Sequence, residues 1–274
     1  MLPFEHGKSW HLGRILGVPV RLHWSLALMV GVQLVRALLN SRFPYALLVV
    51  PIELLIIASI WFHEMAHSMV GRRYGMRTLE MTLHMFGGFV RQAGQPSDRQ
   101  QMWISAAGPL SNILLWLLLS GLGSAIGPYS MAGQVVLSVA DFNLMIGLFN
   151  MIPAFPLDGG FVLVSGLRQK APYAQASWLA YSIGMWISVP LMVLGLISGN
   201  LILAMIFWFT FSACQERLAG VGAVGGAQYW KSRFSRPRAP SNVITPLHVD
   251  WKRFAPPGTT VKDPPDDEPP PTIN

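Results

Sequence analysis

His63 and His67 stand four residues apart in the run His63-Glu64-Met65-Ala66-His67. On a helix, positions i and i+4 share a face, so both imidazoles can reach one zinc ion. Glu64, beside the first histidine, lies close enough to take a proton from a water at that ion. This is the H-E-x-x-H arrangement of zinc hydrolases. Residue frequencies produce it by accident in a chain of this length about once in a hundred, so it needs support from its surroundings. A pair of packed or interfacial histidines is the plainer account of the same spacing. The run lies in an apolar segment, however, where histidine and glutamate are costly unless they serve a purpose.

A catalytic zinc usually takes three protein ligands and keeps a fourth position for water, so a third ligand must come from elsewhere. The stretch Asn150-Met151-Ile152-Pro153-Ala154-Phe155-Pro156-Leu157-Asp158-Gly159-Gly160 offers Asp158 as the outstanding candidate. Pro153 and Pro156 would break a helix just before it, and the two glycines would let the backbone turn close to the metal. In isolation Asp158 would read as an ordinary loop carboxylate.

The elements that must hold these residues are set by composition. Of 274 residues, 52% are hydrophobic and 12% charged, about half the charge of a soluble domain. Apolar segments near bilayer-crossing length fall at about 22–40, 46–70, 102–126, 132–155, 174–197 and 199–217. The expected fold is therefore an all-α polytopic membrane protein with about six transmembrane helices. Arg14, Arg21, Arg72, Arg73, Arg77, Arg91, Arg99, Arg168 and Lys170 flank the spans on one side, whereas Arg36 and Arg42 are exceptions on the other. By the positive-inside rule both termini are cytoplasmic, as in a multi-pass protein of the cell's inner (plasma) membrane. Spans two and four then run in the same direction and bring His63, His67 and Asp158 to similar depth.

The net charge of +7 is scattered between apolar segments and in the tail. It reads as topology and lipid-headgroup contact, and nucleic acid is not implied. The single cysteine, Cys214, makes neither an intramolecular disulfide nor a thiolate metal site by itself. The N-terminus lacks the pattern of a cleaved secretory signal. Residues 78–95 are too short and polar to span, and Gly87 and Gly88 among β-branched and aromatic residues suit a membrane-associated β-hairpin after the second span. His84, within it, reads as interfacial. Residues 1–217 make up the core by this reading. Residues 218–274, Gly-rich, then basic, then Pro-rich and acidic, form a mobile cytoplasmic tail.

The pair His63-Glu64-x-x-His67 and Asn150-x-x-Pro153-x-x-Pro156-Leu157-Asp158-Gly159 resembles the site-2 protease family of intramembrane metalloproteases. Gly108-Pro109-Leu110-Ser111-Asn112, like the G-P-x-x-N element of these proteases, and Phe86-Gly87-Gly88 extend the likeness over about 60–165. The segment Val18-Pro19-Val20-Arg21-Leu22-His23-Trp24 is similar to the opening of some members. Many members carry a PDZ domain or CBS domains, and this chain has room for neither, so it looks like a minimal form. The resemblance implies one Zn2+ ion bound by His63, His67 and Asp158, with Glu64 activating water.

It further implies an endopeptidase cutting a single-span membrane protein, such as a membrane-bound regulator or anti-sigma factor. The bilayer is then a partner too, and a regulatory membrane partner stays open. Asn112 and Asn150, uncharged hydrogen-bonding groups in membrane segments, suit an oxyanion or substrate backbone, Asn150 more than Asn112. Helix-to-helix bonding is the alternative for both, and Asn143 defaults to a packing or interface role. A metal transporter or catalytically silent membrane scaffold also fits the spans, but it leaves Glu64 without a task.

Overall fold

The computed structural model describes residues 9–40, 43–85 and 87–234. Arg42, Phe86 and the tail from residue 235 onward, including Arg236, Arg238 and the Pro-rich acidic end, lie outside the described residues. The chain opens with strands β1 (Ser9–Ile15) and β2 (Val18–His23) and helices α1 (Trp24–Asn40) and α2 (Phe43–Arg73). Strands β3 (Arg77–His84) and β4 (Gly87–Ala93) follow, then helices α3 (Asp98–Ile126) and α4 (Met131–Asn150). Three more helices complete it: α5 (Asp158–Arg168), α6 (Tyr173–Ile197) and α7 (Leu201–Phe234).

Among the described residues five helical stretches are long and apolar enough to cross a membrane: Leu48–Arg73, Asp98–Ile126, Met131–Asn150, Tyr173–Ile197 and Leu201–Gly222. The first of the six expected spans is shorter. Its apolar stretch, Trp24–Leu39, rises only about 24 Å at 1.5 Å per residue, below the ~30 Å of hydrocarbon. The polytopic, mainly helical fold is as expected, with five full-length spans and one short apolar helix.

The fourth span is also shorter than the expected 132–155. It stops at Asn150, where the Pro153–Pro156 segment cannot continue a helix. The chain turns there and re-enters a helix at Asp158. α7 runs beyond residue 218, where the composition changes, with a break in helical geometry at Gly222 (φ 69°).

The hairpin expected at 78–95 is present as β3 and β4, but it is half of a larger sheet. The strand order is β1-β2-β3-β4, with β2 and β3 parallel through Val20↔Met81 and Leu22↔Leu83. β1 and β2 are joined by Leu16 (φ 52°) and Gly17 (φ 78°), a two-residue turn of the kind that matches strand twist. The signal lay in the alternation Val18-x-Val20-x-Leu22 after a glycine. The Arg72 guanidinium donates to the Leu16 carbonyl at 2.8 Å and ties this turn to the end of α2.

The sheet packs its apolar face on α2. Val18, Val20, Met81 and Leu83 form one buried cluster with Leu26 of α1 and with Ile60 and Met65 of α2. Met65 lies inside the His63–His67 run, so burial of the sheet fixes the rotation of the segment that carries the histidines.

Candidate metal centre

His63 and His67 lie one turn apart on α2, and both point their Nε2 atoms toward Asp158. Oδ2 of Asp158 is 3.1 Å from Nε2 of His63 and 3.4 Å from Nε2 of His67. The two Nε2 atoms are 3.1 Å apart. Zinc bonds of 2.0–2.1 Å in a tetrahedron require ligand atoms about 3.3 Å apart, so the triangle has the size that zinc needs. Among the described residues, these three form the cluster of histidine and acidic groups able to share one ion.

Space for the ion is kept by Gly108 of α3. A Cβ there would fall on Nε2 of His67 and 2.6 Å from Nε2 of His63. Only a residue without a side chain leaves that volume open.

Helix α3 supplies none of these three groups, yet it orients both imidazoles. Nδ1 of His67 donates to the carbonyl of Ile104 at 2.7 Å, and Nδ1 of His63 pairs with Oδ1 of Asn112. Ile104, Gly108 and Asn112 recur every four residues and so share one face of α3. A ligand histidine almost always donates its second ring N–H to a carbonyl or carboxylate, which fixes ring and tautomer. Here each Nδ1 has such an acceptor, and each Nε2 turns toward the cluster.

Asp158 is carried in by a tight turn. α5 begins at Asp158, where the unpaired amides of a first helical turn favour a carboxylate. The two glycines after it serve close packing, since neither has a positive φ. A Cβ on Gly159 would collide with backbone at Met151 and Ile152, and one on Gly160 would lie 2.6 Å from the Phe155 nitrogen. The turn is backed from the far side by Cys214 of α7, whose thiol donates to the Phe155 carbonyl at 3.3 Å. It is also backed by Gly184 of α6, where a Cβ would lie 2.9 Å from Cα of Ala154.

Glu64 is buried and abuts the sheet. A Cβ on Gly88 of β4 would sit 2.5 Å from its Cγ and 3.0 Å from its Oε1. β4 is held to the same helix by Gln92, which donates to the His67 carbonyl at 3.2 Å.

The two asparagines differ. Asn112 is fully buried, with its Oδ1 on His63 and its Nδ2 donating to Asn143 at 2.8 Å. Asn150 is half-buried, and its Nδ2 donates at 3.0 Å to the carbonyl of Ile146 on its own helix. His84 lies on β3, apart from the cluster, and burial together with neighbouring His23 lowers its pKa from the ordinary histidine value. Sequence reasoning missed Ile104, whose contribution is a backbone carbonyl, and Gly108, quoted only as part of a motif.

Comparison with known proteins gives a consistent answer. Residues 52–138 match the family model of peptidase family M50. The chain is 28% identical over 208 residues to the zinc metalloprotease MJ0392 of Methanocaldococcus jannaschii, covering 76% of this chain and 60% of that one. It is 32% identical over 228 residues to a Mycobacterium tuberculosis protein named Rip3, covering 75% and 57%. The chain thus spans less than two thirds of the length of either relative. The solved site-2 protease from Methanocaldococcus jannaschii superposes with a TM-score of 0.58 at 28% identity, over 77% of this chain and 95% of that structure. With a similar helical scaffold and a cluster dimensioned for zinc at its centre, the chain resembles the site-2 proteases of peptidase family M50 in both sequence and fold.

Proposed function

We propose that this protein is an intramembrane zinc endopeptidase that hydrolyses a peptide bond within or near the membrane segment of a single-span protein. The observation that carries the reading is the convergence of His63, His67 and Asp158 on one point, beside Glu64, inside apolar helices long enough to cross a bilayer. The relatives named zinc metalloproteases support the same chemistry.

His63, His67 and Asp158 would hold the zinc. Bound there, zinc supplies a Lewis acid that polarises the scissile carbonyl and brings a water pKa down toward about 7. Glu64 accepts a proton from the attacking water and returns it to the leaving amine nitrogen. Burial of Glu64 against Gly88 limits the orientations of its carboxylate. Asn150 is the candidate to hold the substrate carbonyl oxygen as negative charge develops on it, which requires its amide to leave the Ile146 carbonyl.

Substrate backbone must be unwound before it can be cut, because a helix shields its peptide bonds in lipid. β4 is an edge strand beside Glu64, so a substrate segment added to it as a further strand would lie extended next to the base. The charge distribution supports cytoplasmic termini and a cluster toward the cytoplasmic side. A substrate of the membrane-bound regulator or anti-sigma factor class, released into the cytoplasm on cleavage, fits that orientation.

Glu64→Gln is the deciding variant. It should bind zinc as the wild type does and cleave nothing, so that a single-span protein accumulates uncut in the membrane proteome of cells carrying it. Undiminished cleavage by the variant would remove Glu64 as the base. Zinc flux into proteoliposomes without peptide hydrolysis would favour transport instead.

A further inference from the structure

A fully buried polar chain runs away from His63 through three helices. Nδ2 of Asn112 on α3 donates to Oδ1 of Asn143 on α4 at 2.8 Å. Nδ2 of Asn143 donates to Oγ of Ser59 on α2 at 2.9 Å and to the carbonyl of Val139 at 2.8 Å. Oγ of Ser59 in turn donates to the carbonyl of Leu55 at 2.9 Å. Asn112 and Asn143 are both 0% exposed. Ser59 stands one turn before His63, so the chain returns to the helix on which it began.

The direction of this chain is forced. Backbone carbonyls only accept hydrogen bonds, so the group of Asn143 facing Val139 must be its NH2. Its Oδ1 then faces Asn112, which must present its own NH2 there and its Oδ1 to His63. An amide oxygen accepts only, so the proton of a neutral His63 ring sits on Nδ1 and the lone pair on Nε2, the atom that faces Asp158. Reversing either amide would set two donors or two acceptors against each other between fully buried side chains, at a cost of about 1–3 kcal/mol per unsatisfied group. α3 and α4 approach closely enough for the contact because of Gly147, one turn after Asn143. A Cβ there would lie 3.1 Å from Cβ of Asn112.

We propose that Asn112 is a positioning residue of the metal centre, and that the Val139–Asn143–Asn112 relay holds the His63 proton on Nδ1 so that Nε2 is free for zinc. This rests on the reading of His63 as a zinc ligand. It assigns Asn112 to the metal centre and away from the substrate, and it gives Asn143, which touches no ligand, a share in metal affinity.

The full chain in nanodiscs, labelled with 15N-histidine and titrated with zinc against a chelator, tests it. Asn112→Leu and Asn143→Leu should each weaken zinc binding tenfold to a hundredfold, the range for loss of such outer partners. The same change in Asn143→Leu should broaden or shift the His63 ring nitrogens. Ser188→Ala, a buried serine on α6, should leave both unchanged. Folded Asn112→Leu and Asn143→Leu proteins that bind zinc as tightly as wild type overturn the relay alone. A wild type that takes up no zinc overturns the ligand reading and the relay together. Should the leucine variants fail to fold, zinc-loaded wild type still decides: a His63 proton on Nδ1 is expected, and one on Nε2 overturns the proposal.

Discussion

Gly108 holds open the volume at which both Nε2 atoms aim, and it does so from a helix that gives no ligand. Alanine at this position is a better helix former than glycine by about 1 kcal/mol, so Gly108→Ala should leave α3 intact. Its methyl group would nevertheless occupy the volume between the two Nε2 atoms, where the proposed zinc would sit. The expected outcome is a folded protein whose zinc affinity falls at least tenfold, measured by chelator competition. Gly121→Ala on the same helix, where a Cβ meets nothing within 4 Å, should bind zinc normally. Wild-type affinity in Gly108→Ala would show that the ion sits elsewhere. At this scale the sequence is most readable where chemistry depends on residue type at short spacing. His63, Glu64 and His67 fall within one helical turn, and Asp158 is marked by the prolines and glycines around it. Asn112 is less readable, because a buried asparagine gives one signal whether it faces a substrate, a helix or an imidazole. Only the partners at its two ends distinguish these.

The element that approaches Glu64 most closely is β4. Its contact with α2 depends on Gly88 lacking a side chain, while the rest of the strand is held by the β3 ladder and by Gln92. Gly88→Ala would place a methyl group against Cγ of Glu64 and displace the carboxylate by a fraction of an ångström to an ångström. Misplacement on that scale costs about a hundredfold in rate. The zinc affinity should stay near wild type, because His63, His67 and Asp158 do not move. Cleavage of a single-span substrate together with a zinc titration reads both, and equal loss of the two would place Gly88 in the metal centre instead. Elements were legible to the extent that one local rule governed them. The β3–β4 hairpin followed from its glycines and β-branched residues, and the long apolar helices from hydropathy. The pairing of β2 with β3 joins residues 61 apart, as in Val20↔Met81, which no local pattern records. The 17-residue α1 is shorter than the stretch read from the sequence because apolar content was legible but its start, a strand ending at His23, was not.

At the scale of the molecule, the cluster joins parts of the chain 95 residues apart, His63 and Asp158. The expectation that spans two and four run in the same direction put these groups at similar depth in the sequence reading. The central role of α3, which lies between them and turns both imidazoles, was not legible because it rests on a carbonyl and a missing side chain. α6 and α7 hold the 151–157 turn from behind through Gly184 and Cys214, so packing contributes to bringing Asp158 near α2. Zinc should therefore add to a site already assembled by the fold rather than create it. An ion that binds only the folded state at a hundred times its dissociation constant stabilises that state by about 2.7 kcal/mol. Chelation of the purified zinc-loaded protein should lower its melting temperature while helicity is retained at lower temperatures, and zinc should restore the melt. Asp158→Asn should melt near the chelated wild type and respond much less to added zinc, and hydrogen exchange on chelation should rise first in residues 150–160. An unchanged melt on chelation of protein shown to contain zinc would mean that the ion binds the unfolded chain as well, or lies outside this cluster. Loss of helicity at low temperature would mean instead that zinc, and not packing by α6 and α7, assembles the site.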